Sequence, residues 1–106
     1  MEKWDNRKTK DLIGAILALR GEKEARAFLR DLMTEKEILE FGNRWKAAQM
    51  LSEKISYPEI QKETNLSTRT IARISMWLKN GKGGYKLAIN KLHHHNSSRK
   101  RLVMIR

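Results

Sequence analysis

Ser67, Thr68, Arg69, Thr70 and Arg73 place three hydroxyls and two guanidinium groups within one short stretch of chain. Such groups bond to base edges and phosphate oxygens. An arginine can hold guanine O6 and N7 together, and a threonine offers a hydroxyl or a methyl contact. Lys79 and Lys82 follow as candidate contacts to backbone phosphates. Other chemistries find less support. His93, His94 and His95 are consecutive, so their side chains do not converge on one ion, and no carboxylate lies downstream; no metal site is expected. The stretch Gly81-Lys82-Gly83-Gly84-Tyr85 lacks the spacing and terminal Lys-Ser or Lys-Thr of a nucleotide-binding loop, and reads instead as a flexible connection. No nucleophile, histidine and acid fall into a recognisable catalytic arrangement, so the chain is not read as an enzyme and no cofactor is expected.

The charge around these residues points the same way. Twenty-three Lys and Arg against twelve Asp and Glu give a net charge of +11 over 106 residues. Through Glu63 the chain carries thirteen basic and twelve acidic residues; from Thr64 onward it carries ten basic residues and no acidic one. A half without carboxylates reads as the face that meets phosphates. The alternative for residues 93–106 is a basic tail with no specific partner. The length fits one domain, and without cysteine there is neither a disulfide framework nor a thiolate site. The N-terminus lacks the apolar core of a secretory signal. The longest apolar stretch, Leu12 to Leu19, is interrupted by Gly14 and falls well short of the ~20 residues that cross a bilayer. A cytoplasmic location and no membrane partner are therefore expected.

The elements that must position the hydroxyls and guanidiniums are helices. Leu12, Ile13, Ile16, Leu17 and Leu19 follow a helical spacing that Gly21 is expected to close. A second helix is predicted from about Glu22 to Leu32, with Ala25, Phe28, Leu29 and Leu32 on one stripe. Thr34 and Glu37 form a capping box that opens a long third helix through Ile38, Leu39, Phe41, Trp45, Ala48 and Leu51. Ser56 can cap a short fourth helix with Pro58 in its first turn and Ile60 facing inward. Asn65, Leu66 and Ser67 make the next turn, and a fifth helix starts at Thr68. Ile71, Ile74 and Leu78 are its inward residues, which leaves Thr68, Arg69, Thr70, Arg73 and Ser75 on the outer side. Two short helices joined by a three-residue turn, the second polar and basic at its start, form a helix-turn-helix over about 56–79. An ordinary helical hairpin whose Ser and Thr serve only as caps is the other reading of this pattern. A last helix is expected from Tyr85 to Leu92, set apart by the glycine-rich connection. Trp4 and Trp45 read as core or interface aromatics.

Several of these motifs occur in the order of a known family. Leu32-Met33-Thr34-Glu35-Lys36-Glu37, Gly42-Asn43-Arg44-Trp45, Ile55-Ser56-Tyr57-Pro58-Glu59-Ile60 and Ser67-Thr68-Arg69-Thr70-Ile71-Ala72-Arg73 together resemble the tryptophan repressor family, and more closely its YerC/YecD-type branch. The resemblance covers roughly Gly21 to Leu92. It implies an all-α fold, an intertwined homodimer whose two reading helices meet pseudo-palindromic double-stranded DNA, residues 1–92 as the DNA-binding domain and 93–106 as a basic C-terminal tail. A third helix this long and apolar also has little within one small chain to cover it, which independently favours a dimer over a compact monomer.

In tryptophan-binding members of that family two arginines and a threonine hold the ligand, and the resemblance matches these to Arg44, Arg73 and Thr34. Where the family keeps a glycine so that the ligand fits, this chain has Ile74, and a serine that receives the ligand's amino end is replaced by Trp77. Both changes add bulk to a close-packed region. The expectation is a pocket filled from within, with no small-molecule effector and DNA binding that does not require tryptophan. A nonspecific nucleic-acid binder, or a helical adaptor with a protein partner, is the alternative function. In the tail, Arg99-Lys100-Arg101 suits nonspecific phosphate contacts, and Leu102-Val103-Met104-Ile105 is apolar enough to dock on the domain or on a partner chain.

Overall fold

A computed structural model of the chain describes residues 2–93. His94, His95 and the remainder of the tail, on which several expectations fell, lie outside the described residues. Within them the chain is all helical: α1 (Arg7–Ala18), α2 (Gly21–Leu32), α3 (Glu35–Ser52), α4 (Tyr57–Thr64), α5 (Thr68–Asn80) and α6 (84–93).

Local side chains set most of the boundaries. α1 starts earlier than the apolar stripe suggests, because Asn6 and Thr9 cap it reciprocally: the Thr9 amide donates to Asn6 Oδ1 at 3.1 Å, and the Asn6 amide donates to Thr9 Oγ1 at 2.9 Å. Gly21 does not close α1. Leu19, in an extended conformation, ends that helix, and Gly21 is the first residue of α2 with φ 81°. That backbone angle is one only glycine adopts without strain, so the residue serves the tight start of α2. Glu24 reaches back to accept the Arg20 amide at 2.9 Å. At its far end α3 closes in a Schellman arrangement, in which the Ile55 amide donates to the Met50 carbonyl and the Lys54 amide to that of Leu51, each at 3.0 Å. Lys54 occupies the left-handed position there, with φ 62°, where glycine is the usual occupant.

The chain divides into two compact units, one through Leu39 and one from Glu40. In the first, no residue of α1 or α2 is buried, and Ile13, Ile16, Leu17, Leu29, Leu32 and Leu39 are all exposed. The second has a core. Ala47 and Ala48 of α3, Ile60 of α4, Ile71 and Ile74 of α5 and Ile89 of α6 are buried together, with Trp45, Leu66, Leu78 and Tyr85 packed against them. Trp45 and Tyr85 stack at 6.3 Å between ring centroids with their planes 23° apart. Trp45 is thus a core aromatic as expected, whereas Trp4 is exposed and donates its indole N–H to Glu2 Oε2 at 2.6 Å.

The glycine-rich connection does not set α6 apart. Ile89 and Tyr85 belong to the same core as α5, and only residues 81–83 separate the two helices. Gly81 closes on the end of α5 so tightly that a β-carbon there would run into the Trp77 carbonyl, and Lys86 Nζ donates back to the Lys79 carbonyl at 3.4 Å. Glycine is needed here for close approach rather than for freedom of motion. Because Lys54 holds a left-handed conformation that costs a side-chain-bearing residue about 1 kcal/mol, Lys54→Gly should raise unfolding stability by about that amount, read as a higher denaturant midpoint at unchanged slope.

Candidate nucleic-acid interface

α4, the turn Asn65–Ser67 and α5 form a unit whose geometry follows from a few hydrogen bonds and one apolar stripe. Ser56 caps α4, accepting the Glu59 amide at 3.5 Å, and Pro58 sits in the first turn, where a missing amide donor does no harm. Asn65 ends the helix in the left-handed region, φ 60°, and donates its amide to the Gln61 carbonyl at 2.8 Å. Thr64, which the sequence reading passed over, joins helix to turn. Buried, it donates its hydroxyl to the Ile60 carbonyl at 2.7 Å and accepts the Leu66 amide at 3.3 Å. Only its place one residue before the turn-forming Asn65 hinted at this. Ser67 caps α5, accepting the Thr70 amide at 3.1 Å.

Ile71 and Ile74, both fully buried, fix the rotation of α5. Thr68, Arg69 and Arg73 are consequently exposed and Thr70 is partly so. The outer placement expected for Ser75 is wrong: it follows Ile71 by four residues and lies on the inward stripe, only 9% exposed. Lys79, at the end of α5, and Lys82, in the connection, are exposed. No acidic residue occupies the first turn of α5, and residues 64–93 contain none at all, against six Lys and Arg. The amide-rich start of α5 therefore faces outward in a locally cationic setting, which suits phosphate oxygens and base-edge acceptors.

The other candidate residues are engaged as follows. Thr34 Oγ1 donates to Glu37 Oε1 at 3.0 Å and accepts the Glu37 amide at 3.1 Å, while the Thr34 amide donates to the same carboxylate at 3.0 Å. Arg44 places Nη2 3.7 Å from Glu40 Oε1 and its guanidinium 5.5 Å over the Phe41 ring; its buried Nε has no hydrogen-bond partner among the described residues. Ile74 lies inside the core of the second unit, whereas Trp77 is 44% exposed. Among the described residues, no three His, Cys, Asp or Glu side chains gather as they would around a metal ion, and no helix is long and apolar enough to cross a membrane.

Residues 7–93 match the Trp repressor protein family. The chain is 33% identical over 92 residues to the uncharacterized protein YerC of Bacillus subtilis (strain 168), covering 87% of this chain and 88% of that one. Among solved structures it resembles a TrpR-like protein from Eubacterium eligens, with a TM-score of 0.81 and 35% identity over 86% of this chain and 94% of the other. A Staphylococcus aureus chain, 27% identical, superposes with a TM-score of 0.80 over 88% of this chain and 96% of its own length. The fold is accordingly the all-α, TrpR-like one.

The amide and hydroxyl of Thr34 hold the Glu37 carboxyl below the ordinary glutamate range, the backbone bond contributing most. A carboxyl with a lowered folded-state value contributes stability that is present above its unfolded value and lost as pH falls through the folded one. Wild type should therefore lose more stability on acidification than Glu37→Gln, a difference seen by comparing denaturant midpoints of the two proteins at neutral and acid pH.

Proposed function

The chain belongs to the Trp repressor family, and on that premise we propose that it is a cytoplasmic, homodimeric, sequence-specific DNA-binding regulator whose binding needs no tryptophan. The observation that carries this reading is the outward face of α5. Burial of Ile71 and Ile74 leaves Thr68, Arg69, Thr70 and Arg73 on the solvent side of a capped helix start. Arg69 is the residue assigned to a guanine edge, Thr68 and Thr70 to neighbouring groups, and Arg73, Lys79, Lys82 and the backbone amide of Ser67 to the phosphate backbone.

The dimer reading rests on the first unit. Ile13, Ile16, Leu17, Leu29, Leu32 and Leu39 are exposed among the described residues, and exposed apolar surface of this extent is what an obligate partner surface looks like before assembly. A symmetric pair would present two copies of α5 to half-sites about one helical turn, ~34 Å, apart. Independence from tryptophan rests on Ile74. Its side chain occupies the inner side of α5 where tryptophan-binding relatives have glycine, so a ligand indole has no room beside that backbone. Thr34 and Arg44, at the other matched positions, already serve the start of α3 and the Glu40–Phe41 surface.

Selection of bound sequences from a random duplex pool should return a pseudo-palindrome with half-site centres ~10 base pairs apart. Arg69→Ala should relax one position in each half-site at a cost of about 1–3 kcal/mol. Binding indifferent to sequence would leave the nonspecific alternative. In calorimetric titration L-tryptophan should give no saturable heat and should not change affinity for the selected duplex; saturable binding at micromolar ligand would overturn the filled-pocket reading.

A further inference from the structure

Of the three threonines of the α4–α5 unit, Thr64 and Thr70 use their hydroxyls in opposite ways. A helical threonine ordinarily donates to a carbonyl one turn back. Thr64 does this, donating to Ile60, and its oxygen also receives the Leu66 amide, so its proton is committed inside the fold. Thr70 is different. Ser67 Oγ accepts the Thr70 amide at 3.1 Å and lies 3.0 Å from Thr70 Oγ1; because a hydroxyl that already accepts a hydrogen bond is the stronger donor, the proton between the two oxygens is assigned to Ser67. Ser67's single proton is therefore spent, one lone pair of Thr70 Oγ1 is filled, and no described residue receives the Thr70 proton. A hydroxyl is normally indifferent between giving and accepting. With a donor already on its oxygen, this one is biased toward giving, and a donating neighbour strengthens its donor character.

We propose that Ser67 is a positioning residue that makes Thr70 a directed hydrogen-bond donor to an acceptor on a base edge in the major groove, and thereby a determinant of sequence preference. The acceptors available there are N7 of either purine, O6 of guanine and O4 of thymine, whereas cytosine presents a donor and is disfavoured. Thr70 fits this role by position as well, being in the first turn of α5, partly exposed, on the same helix start as Arg69. The inference rests on the DNA-binding reading above and deepens it by naming the polarity of one contact.

The test is sequence selection from a random duplex pool, followed by affinity measurement on the selected duplex and its single-base variants. The proteins compared are full-length wild type, Thr70→Val, Ser67→Asp and Ser67→Thr. Valine keeps the shape of threonine without the hydroxyl. Aspartate still caps the helix, but it has no proton to give and would draw the Thr70 proton onto itself. Threonine at position 67 keeps both functions. Thr70→Val and Ser67→Asp should each lose discrimination against cytosine at the same position of each half-site, by roughly three- to tenfold as for a single net hydrogen bond, while Ser67→Thr retains it. The added charge of Ser67→Asp should weaken binding to all duplexes equally, which leaves the positional readout intact. A uniform loss in Thr70→Val with unchanged preference would place the contact on a phosphate and overturn the proposal, as would preference unchanged in both variants. A wild-type protein that selects no sequence overturns the DNA-reading function itself, so the two failures are distinguishable.

Discussion

The rotational setting of α5 is the constraint on which the interface depends. Three isoleucines, Ile60, Ile71 and Ile74, are sealed between that helix and α3, α4 and α6. Each such side chain contributes about 1.5–3 kcal/mol when taken fully out of water. Turning α5 by one residue toward its start would put Thr70 and Arg73 in the places of Ile71 and Ile74, and burying an unpaired guanidinium costs several kcal/mol more. Both effects favour the same setting. The polar start of the helix is displayed because its apolar back is held in a core that Ala47 and Ala48 of α3 share.

The two units differ in what secures them. From Glu40 onward, side chains from four helices share one core, and the connections that join them are closed by particular residues: Lys54, Thr64, Asn65 and Gly81. Before Glu40 the chain forms α1, which is reciprocally capped, and α2, whose N-cap Arg20 makes no side-chain cap hydrogen bond, and neither helix contains a buried residue. Caps contribute on the order of 1 kcal/mol each, and a helix of 12 residues is marginal on its own in water. Capping alone does not explain ordered helices that carry Leu17 at 79% exposure and Leu39 at 69%. In the proposed dimer a second copy of the same apolar surface would supply the missing burial. In the proposed assembly, folding of the first unit and formation of the dimer are therefore one event, and apparent stability depends on protein concentration.

Periodicity and capping chemistry made much of this visible in the sequence. The third helix is legible from Thr34 and Glu37, the two helices α4 and α5 with their turn from Ser56, Asn65 and Ser67, and the inward stripe of α5 from Ile71 and Ile74. These features are local, since a cap needs only four residues and a stripe only two turns. Ser75 was misplaced because its polarity outweighed its register, although its neighbours already fixed the face it lies on. Gly21 was assigned to the wrong helix because a glycine between two helices fits the end of one as well as the start of the next, and only the backbone angle decides. The connection after α5 was read as loose because glycines permit motion and close approach alike, and the choice depends on how near the chain comes to the Trp77 carbonyl. Thr64 carries no signal in charge or apolar spacing; its role exists only once α4 and the turn are formed.

Residue types shared with ligand-binding relatives do not by themselves carry a ligand site. Thr34 and Arg44 each have partners within their own helix region, although the buried Nε of Arg44 has none among the described residues. The threonine hydroxyl and amide are spent on Glu37 at the start of α3. The arginine spans Glu40 and Phe41 on its own helix, an arrangement in which a charged group lies over a ring face and near a carboxylate. On the proposed reading, what separates this chain from a tryptophan-dependent regulator is a matter of volume and not of polar groups. A glycine beside Arg73 would leave space that a ligand must fill before α5 is supported; an isoleucine there fills it permanently and is part of the core. A helix supported in this way needs no effector to be held in place. Regulation of such a protein would then fall to its concentration, to the dimer equilibrium, or to the DNA sequence it reads.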